Sequence, residues 1–254
     1  MLTLSVVSHG HGPLLDRLLT QLDQQPSLAG VRVVVTLNLA DEPFDASRYR
    51  QLAIVGLRNA QPRGFGANHN AAFRHCQTPW FGVLNPDLTL PDGEPFTLLM
   101  HSGAQAERVA AVAPRIVNAA GQPEDSVRAN LTPGSLVARQ LFGRRKALTV
   151  QGTTRRGEPF FWLAGMCLLL DAAAFRSVGG FDERFFLYCE DFDLCARLYN
   201  ANYAIKLEPR ACLVHEAQRD SHRSLRHLRW HLASLAKVWT SAAFWRVTLS
   251  AVGT

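Results

Sequence analysis

Along the first third of the chain, short apolar runs alternate with stretches whose leucines recur at helical spacing. Leu2 to Val7 is an apolar run broken by Ser8-His9-Gly10, and between Pro13 and Gln24 the leucines fall at 14, 15, 18, 19 and 22. Those three- and four-residue steps mark one face of a helix. Val31 to Leu39 and Leu52 to Leu57 read as further buried strands. Gly64 to Cys76 opens on glycines and continues as a helix, and Trp80 to Leu84 is a strand ending at Asn85-Pro86-Asp87. Strands and helices in alternation predict an α/β sheet with right-handed crossovers. In such sheets ligands bind beyond the carboxyl ends of the strands.

Further on, Ala110 to Val117 and Phe161 to Leu170 read as strands, separated by a segment rich in Gly, Pro and Arg. Within it, residues 143 to 158 read as a mobile basic loop. Asp191 to Asn200 is a predicted helix, and Tyr203 to Leu207 and Cys212 to Val214 are short strands leading to His215-Glu216. The main domain is therefore expected to span residues 1–217, with 218–254 as a basic helical tail. In that tail Leu225, Leu228, Leu232, Leu235 and Trp239 recur at helical steps with Arg223, Arg226 and Arg229 between them, the pattern of an amphipathic helix. Packing on the domain, pairing with a second copy, lying on an anionic membrane and binding nucleic acid are all open to such a helix.

Composition narrows the class. With 254 residues, 47% of them hydrophobic, the chain can bury one sizeable core, which excludes a disordered protein. The longest apolar run, Phe160 to Leu170, is too short for a membrane span of roughly 20 residues. Met1-Leu2-Thr3 lacks the charged start of a signal peptide, so the expectation is a cytoplasmic protein, at most peripheral on the inner face of the membrane. The five cysteines, at 76, 167, 189, 195 and 212, form no CxxC pair and sit among apolar neighbours, which predicts free thiols rather than disulfides or a zinc site. Nearly all of the +6 net charge lies in the tail, where six Arg and Lys from Arg219 onward face Asp220 alone.

The candidate chemistry starts from Val178 to Leu194, where Asp182, Glu183, Glu190, Asp191 and Asp193 stand among largely apolar neighbours. Carboxylates near apolar surface are costly unless paired, hydrogen-bonded or bound to a cation. A helix N-terminus that welcomes acids is the structural alternative. Gly179-Gly180-Phe181-Asp182-Glu183, followed by Glu190-Asp191 and Asp193-Leu194, resembles the inverting glycosyltransferases of family 2, and among them the bacterial rhamnosyltransferases that use dTDP-rhamnose. The resemblance covers roughly residues 1–217. It implies the GT-A fold, a mixed and mainly parallel sheet flanked by helices, and transfer of a sugar from a nucleotide donor to a polysaccharide or lipid-linked glycan.

The same resemblance distributes roles. Asp191 is the expected base that deprotonates the acceptor hydroxyl, with Glu190 the competing candidate and Asp193 a helix cap. Asp87 and His215 are the expected ligands of Mg²⁺ or Mn²⁺ on the diphosphate. Asn85 stands where the family often has a further acid. Ser8, His9 and Gly10, with Asn38 after the second strand, would line the nucleotide. Asn59, Gly64, Phe65, Gly66 and Asn68 match the family's donor-binding stretch, whose glycines would let the backbone approach the nucleotide. Trp162 and Gly165 would floor the sugar site, with Asp182 and Glu183 lining it, although Asp182 equally suits a turn and Trp162 a core. A UDP-hexose or UDP-N-acetylhexosamine donor is the alternative within this class. Outside it stand a basic nucleic-acid-binding protein and a non-catalytic partner-binding one. Because the basic charge is confined to the tail and the acidic cluster would repel phosphates, no nucleic-acid partner is expected.

Overall fold

The computed structural model describes residues 1–91, 93–134, 152–216 and 225–250. Its spine is a sheet in the order β3-β2-β1-β4-β10-β6-β11-β5, with β8 pairing against β11. β1 (Leu2–Ser8), β2 (Arg32–Leu37), β3 (Ala53–Arg58) and β4 (Trp80–Leu84) run parallel. β10 (Cys167–Asp171) is antiparallel to both β4 and β6 (Val109–Val117). β6 in turn runs parallel to β11 (Ala204–His215), whose other partners, β5 (Leu88–Thr89) and β8 (Gly152–Thr154), are antiparallel to it. The carboxyl ends of β1, β2, β3, β4, β6 and β11 thus reach one edge, bringing together Ser8, Asn38, Asn59, Asn85 and His215.

Alternation along the strands builds two cores. Val34, Phe81, Val83, Leu168 and Leu170 point to one face, where α2 (Phe65–Phe73), α4 (Ala172–Ser177) and α5 (Glu190–Asn200) cover them. Val33, Val35, Leu84 and Leu169 point to the other, against α1 (Gly12–Asp23) and α3 (Pro95–Ala104). The two-residue period of a strand produces this division, and helices on both faces satisfy it.

Two apolar runs fold differently from the sequence expectation. Phe161 to Leu170 is two strands: β9 (Phe161–Leu163) pairs with β7 (Val127–Ala129) in a separate small sheet, while β10 joins the main sheet. Ala164, Gly165 and Met166 make the change of sheet without a polar residue to mark it. Residues 204 to 215, expected as two strands, form one strand with a register shift between Glu208 and Cys212. The bulged residues are absorbed without ending the strand, and His215 arrives opposite Leu88. Of the basic loop expected at 143–158, residues 143–151 lie outside the described residues, and Gly152–Thr154 is strand rather than loop.

The expected boundary at residue 217 also falls outside the described residues. Beyond it stand two helices, α6 (Leu225–Thr240) and α7 (Ala242–Ser250). Leu235, Val238, Phe244 and Val247 are buried in the same core as α5. Helix α6 seats itself on the side carrying Ser234, Leu235 and Val238, so the leucine stripe is split, with Leu235 in the packed face and Leu228 and Leu232 outside it. Leu228 and Leu232 are consequently 53% and 57% exposed. Among the cysteines, Cys76, Cys167, Cys189 and Cys195 are buried, Cys212 is half-buried, and all five are free.

Candidate active site

Four segments converge at the carboxyl edge of the sheet. The turn after β4 carries Asp87, and the end of β11 carries His215. Their side chains meet, Nε2 to Oδ2, at 3.2 Å, and the backbone N–H of Glu216 donates to the Asp87 carbonyl at 3.0 Å. His215 Nδ1 faces the Glu124 carboxylate at 2.6 Å. Burial lowers the imidazole's pKa, but the two carboxylates outweigh it and raise it to about 9. The other oxygen of Asp87, Oδ1, is buried without a hydrogen-bond partner among the described residues.

An orphaned carboxylate oxygen beside an imidazole whose far nitrogen is held by a second carboxylate fits a divalent cation, the far carboxylate fixing ring orientation. Among the described residues no three acidic, His or Cys side chains converge into a closed cage. Such a cation would therefore complete its shell with substrate oxygens and water. Glu124 carried no sequence signal: it lies in the irregular stretch after β6 and reaches His215 only through the fold.

The acidic pair sits at the start of α5. Cys189, its N-cap, and Tyr188 before it both adopt left-handed backbone, with φ of 65° and 73°, a conformation costly for residues with side chains. This double reversal aims Asp191 at the β9–β10 crossing, where its Oδ2 accepts the Gly165 N–H at 2.9 Å and its Oδ1 accepts the Phe192 N–H at 2.9 Å. Burial raises the Asp191 carboxyl, while Arg128 and these N–H groups pull it back. Glu190 is buried, and its Oε2 has no hydrogen-bond partner among the described residues. Burial first and the Asp191 charge second push its carboxyl well above the usual range. The donors and the arginine partly offset burial at Asp191, so of the pair Glu190 is displaced further toward its neutral form. Arg128 also escaped the sequence reading, since its strand β7 is three residues long.

Gly165 and Met166 join the two halves of this arrangement. The carbonyl of Met166 accepts the N–H of Asn85 at 2.9 Å, so consecutive residues hold the acidic pair and the Asn85-Pro86-Asp87 turn. A side chain at 165 would meet the Phe65 ring at 3.3 Å.

The expected donor residues form a connected network. Asn38 Oδ1 accepts from Arg63 N and Asn59 Nδ2, both at 2.8 Å, and its Nδ2 donates to the Arg63 carbonyl at 3.0 Å. Asn59 Nδ2 also donates to Asn68 Oδ1 at 2.7 Å. Asn38 thus holds the Arg63 loop rather than offering a free acid-like group to a ribose. Ser8 donates to Glu42, whose second oxygen accepts the Gly10 N–H at 3.0 Å. Glu42, buried and unforeseen, thereby shapes the loop around His9. The imidazolium of His9 is disfavoured by burial, then by His11 and Arg226, with Glu42 partly offsetting.

Several of the expected site residues make contacts within the protein. Gly64 and Gly66 make room for protein: a Cβ on Gly64 would stand 2.7 Å from the Phe186 carbonyl, and one on Gly66 would stand 2.6 Å from Phe181 Cβ. Trp162 is 2% exposed, donates its indole N–H to the Ala129 carbonyl at 2.9 Å and carries Arg128 on its ring. It has no face for a sugar. Asp193 pairs with Arg197 at 2.7 Å instead of capping α5. Asp182 accepts the Arg184 N–H at 3.0 Å and ion-pairs with the same residue, the turn alternative. Glu183, exposed, bridges Asn70 at 3.1 Å and Arg63 at 3.4 Å.

The chain is similar to known proteins in both sequence and fold. The family model for "Glycosyl transferase family group 2" matches residues 142–253. The rhamnosyltransferase WbbL of Escherichia coli K12 is 25% identical over 242 residues, 92% of this chain and 90% of its own length. An N-acetylglucosaminyl-diphospho-decaprenol L-rhamnosyltransferase of Mycobacterium tuberculosis is 30% identical over 258 residues, 92% of this chain and 81% of its own. A mannosyltransferase of Pyrobaculum calidifontis, solved with GDP-mannose and Mn²⁺, superposes with a TM-score of 0.62 at 16% identity, covering 99% of this chain and 73% of that one. The fold is GT-A, and the chain belongs to glycosyltransferase family 2.

Proposed function

We propose that this glycosyltransferase transfers L-rhamnose from dTDP-β-L-rhamnose, with inversion, to a glycan acceptor carried on a lipid or a growing surface polysaccharide. The observation that carries the reaction class is the Glu190–Asp191 pair: two adjacent carboxyls, one held by the Gly165 and Phe192 N–H groups and one buried with an oxygen that has no hydrogen-bond partner among the described residues. The rhamnosyl donor rests on the two relatives named as rhamnosyltransferases.

In this reading Asp191 takes the proton of the acceptor hydroxyl as that oxygen attacks the anomeric carbon and the sugar–phosphate bond breaks. Positioned bases of this kind contribute roughly 10²- to 10⁴-fold. The hydrogen bonds from Gly165 and Phe192 orient the carboxylate and favour its charged form. Burial favours the neutral form of Glu190, in which it does not repel that carboxylate. Asp87 and His215 would hold Mg²⁺ or Mn²⁺, with Glu124 fixing the imidazole; when bound, the ion offsets the charge gathering on the departing diphosphate. Ser8, His9 and Gly10, with the Asn38–Asn59–Asn68 network behind them, would shape the nucleotide's side of the cleft. Asn85, Phe65 and Gly165 would border the donor sugar.

Thermal unfolding with dTDP-rhamnose, dTDP, UDP and UDP-glucose, each with and without Mn²⁺, tests the donor. A ligand at 100 times its dissociation constant adds about 2.7 kcal/mol. A metal-dependent shift with the dTDP ligands alone is expected. A shift confined to the UDP ligands would replace rhamnose with a UDP-linked sugar.

A further inference from the structure

The large apolar side chains exposed among the described residues are Met1, Phe186, Leu228, Leu232, Trp245 and Leu249. Apart from the terminal Met1, all of them belong to α6 and α7 or touch α6. Leu228 and Leu232 stand one turn apart on α6, and Trp245 and Leu249 one turn apart on α7. Phe186 packs against Trp230 of α6 in a tilted arrangement, 4.8 Å between ring centroids. Trp245 donates its indole N–H to the Trp239 carbonyl at 2.8 Å, fixing the α7 ridge to the end of α6. Soluble surfaces scatter such residues singly, and a concentration of them marks a contact surface.

The charge on these two helices is equally one-sided. Residues 225–250 contain Arg226, Arg229, Lys237 and Arg246 and no Asp or Glu. Exposed leucines and tryptophan on helices whose charged residues are all basic fit the anionic headgroup region of a bilayer, where the apolar side chains enter the interface and cations such as Arg229 meet phosphates. No described helix is long and apolar enough to cross a membrane, so the contact would be with one surface. Helix α6 also adjoins the candidate site: the Tyr188 hydroxyl, two residues before Glu190, lies 2.8 Å from His227 Nδ1.

We propose that α6 and α7 form a docking surface for an anionic lipid bilayer, holding the cleft at the membrane. That a lipid-carried acceptor is reached there rests on the transfer reaction proposed above; the docking itself does not.

The test is co-sedimentation of the full chain with vesicles of phosphatidylcholine alone or mixed with phosphatidylglycerol, with no nucleotide or acceptor present. Binding to the anionic vesicles alone, weakened by salt, is expected. The exposed pairs L228S/L232S and W245S/L249S should each reduce it about tenfold, since each removes two apolar anchors. Arg229→Glu should reduce it while keeping the wild-type melting temperature. Equal binding to both vesicle types, unchanged binding by the variants, or no vesicle binding accompanied by a dimer that L228S/L232S dissolves would overturn the proposal. Because nucleotide is absent, failure here leaves the donor reading standing, and a wrong donor leaves the docking standing.

Discussion

Asp191 and Gly165, 26 residues apart in sequence, are joined by a 2.9 Å hydrogen bond from the glycine N–H to the carboxylate. The bond orients the acid and favours its charged form against the burial that raises its pKa. Asp191→Asn should therefore lower transfer by about 10²- to 10⁴-fold while donor-induced thermal stabilisation stays near wild type. Near-normal turnover in that variant would remove Asp191 from the base role.

The neighbouring acid gives the opposite expectation. Glu190 is buried and favoured in its neutral form, so the isosteric Glu190→Gln keeps shape and charge state alike. Its kcat should stay within about fivefold of wild type, far less than the loss of a positioned base. A loss matching that of Asp191→Asn would assign the two carboxylates jointly to the proton transfer.

Glu124 touches the candidate cation site only through His215. Glu124→Gln should weaken Mn²⁺ binding about 10- to 100-fold, as loss of an outer partner does. Titration of Mn²⁺ followed by electron paramagnetic resonance or calorimetry reads this without any turnover. Unchanged affinity would leave Glu124 a purely structural neighbour.

Gly64 has no room for a methyl group. A Cβ there meets backbone atoms of Phe186 at 2.7 and 2.9 Å, which cannot yield by a rotamer change. Gly64→Ala should destabilise the fold by about 1–3 kcal/mol, measured by urea unfolding. An unchanged midpoint would show that the 185–186 backbone moves freely.

His69 is fully buried beside Ser5, its Nδ1 2.8 Å from the serine hydroxyl, and burial lowers its pKa to about 3. In the unfolded chain the group titrates near 6.5. Between those values the unfolded state binds the extra proton, so stability is complete above about pH 6.5 and falls as pH drops toward 3. The loss is at most about 1.4 kcal/mol per pH unit. His69→Gln should flatten the stability profile in that window relative to wild type. Parallel profiles would mean that other groups carry the acid sensitivity.

The strand–helix alternation of the first third was legible because each apolar run there is bounded by polar or glycine residues. The end of β4 at Asn85 was legible for the same reason. The run from Phe161 to Leu170 was not, because an unbroken apolar stretch carries no mark of the point where it changes sheets. At the candidate site, Asp87, His215 and Asp191 could be read from local motifs. Glu124, Arg128 and Glu42 could not, since each lies in an irregular stretch or a short strand and gains its place through a long-range partner. Trp162 misled because an aromatic beside a small residue suits a sugar floor and a core equally, and only its burial decides.

The two left-handed residues before Glu190 make the aim of Asp191 a borrowed property. Tyr188 and Cys189 hold that backbone because their side chains are anchored, Cys189 in the core and Tyr188 against His227 on α6. The acid's bearing is thus set partly by a helix more than thirty residues downstream. A chain shortened before α6 would keep every expected ligand and acid yet lose one of the pegs that hold the base on target.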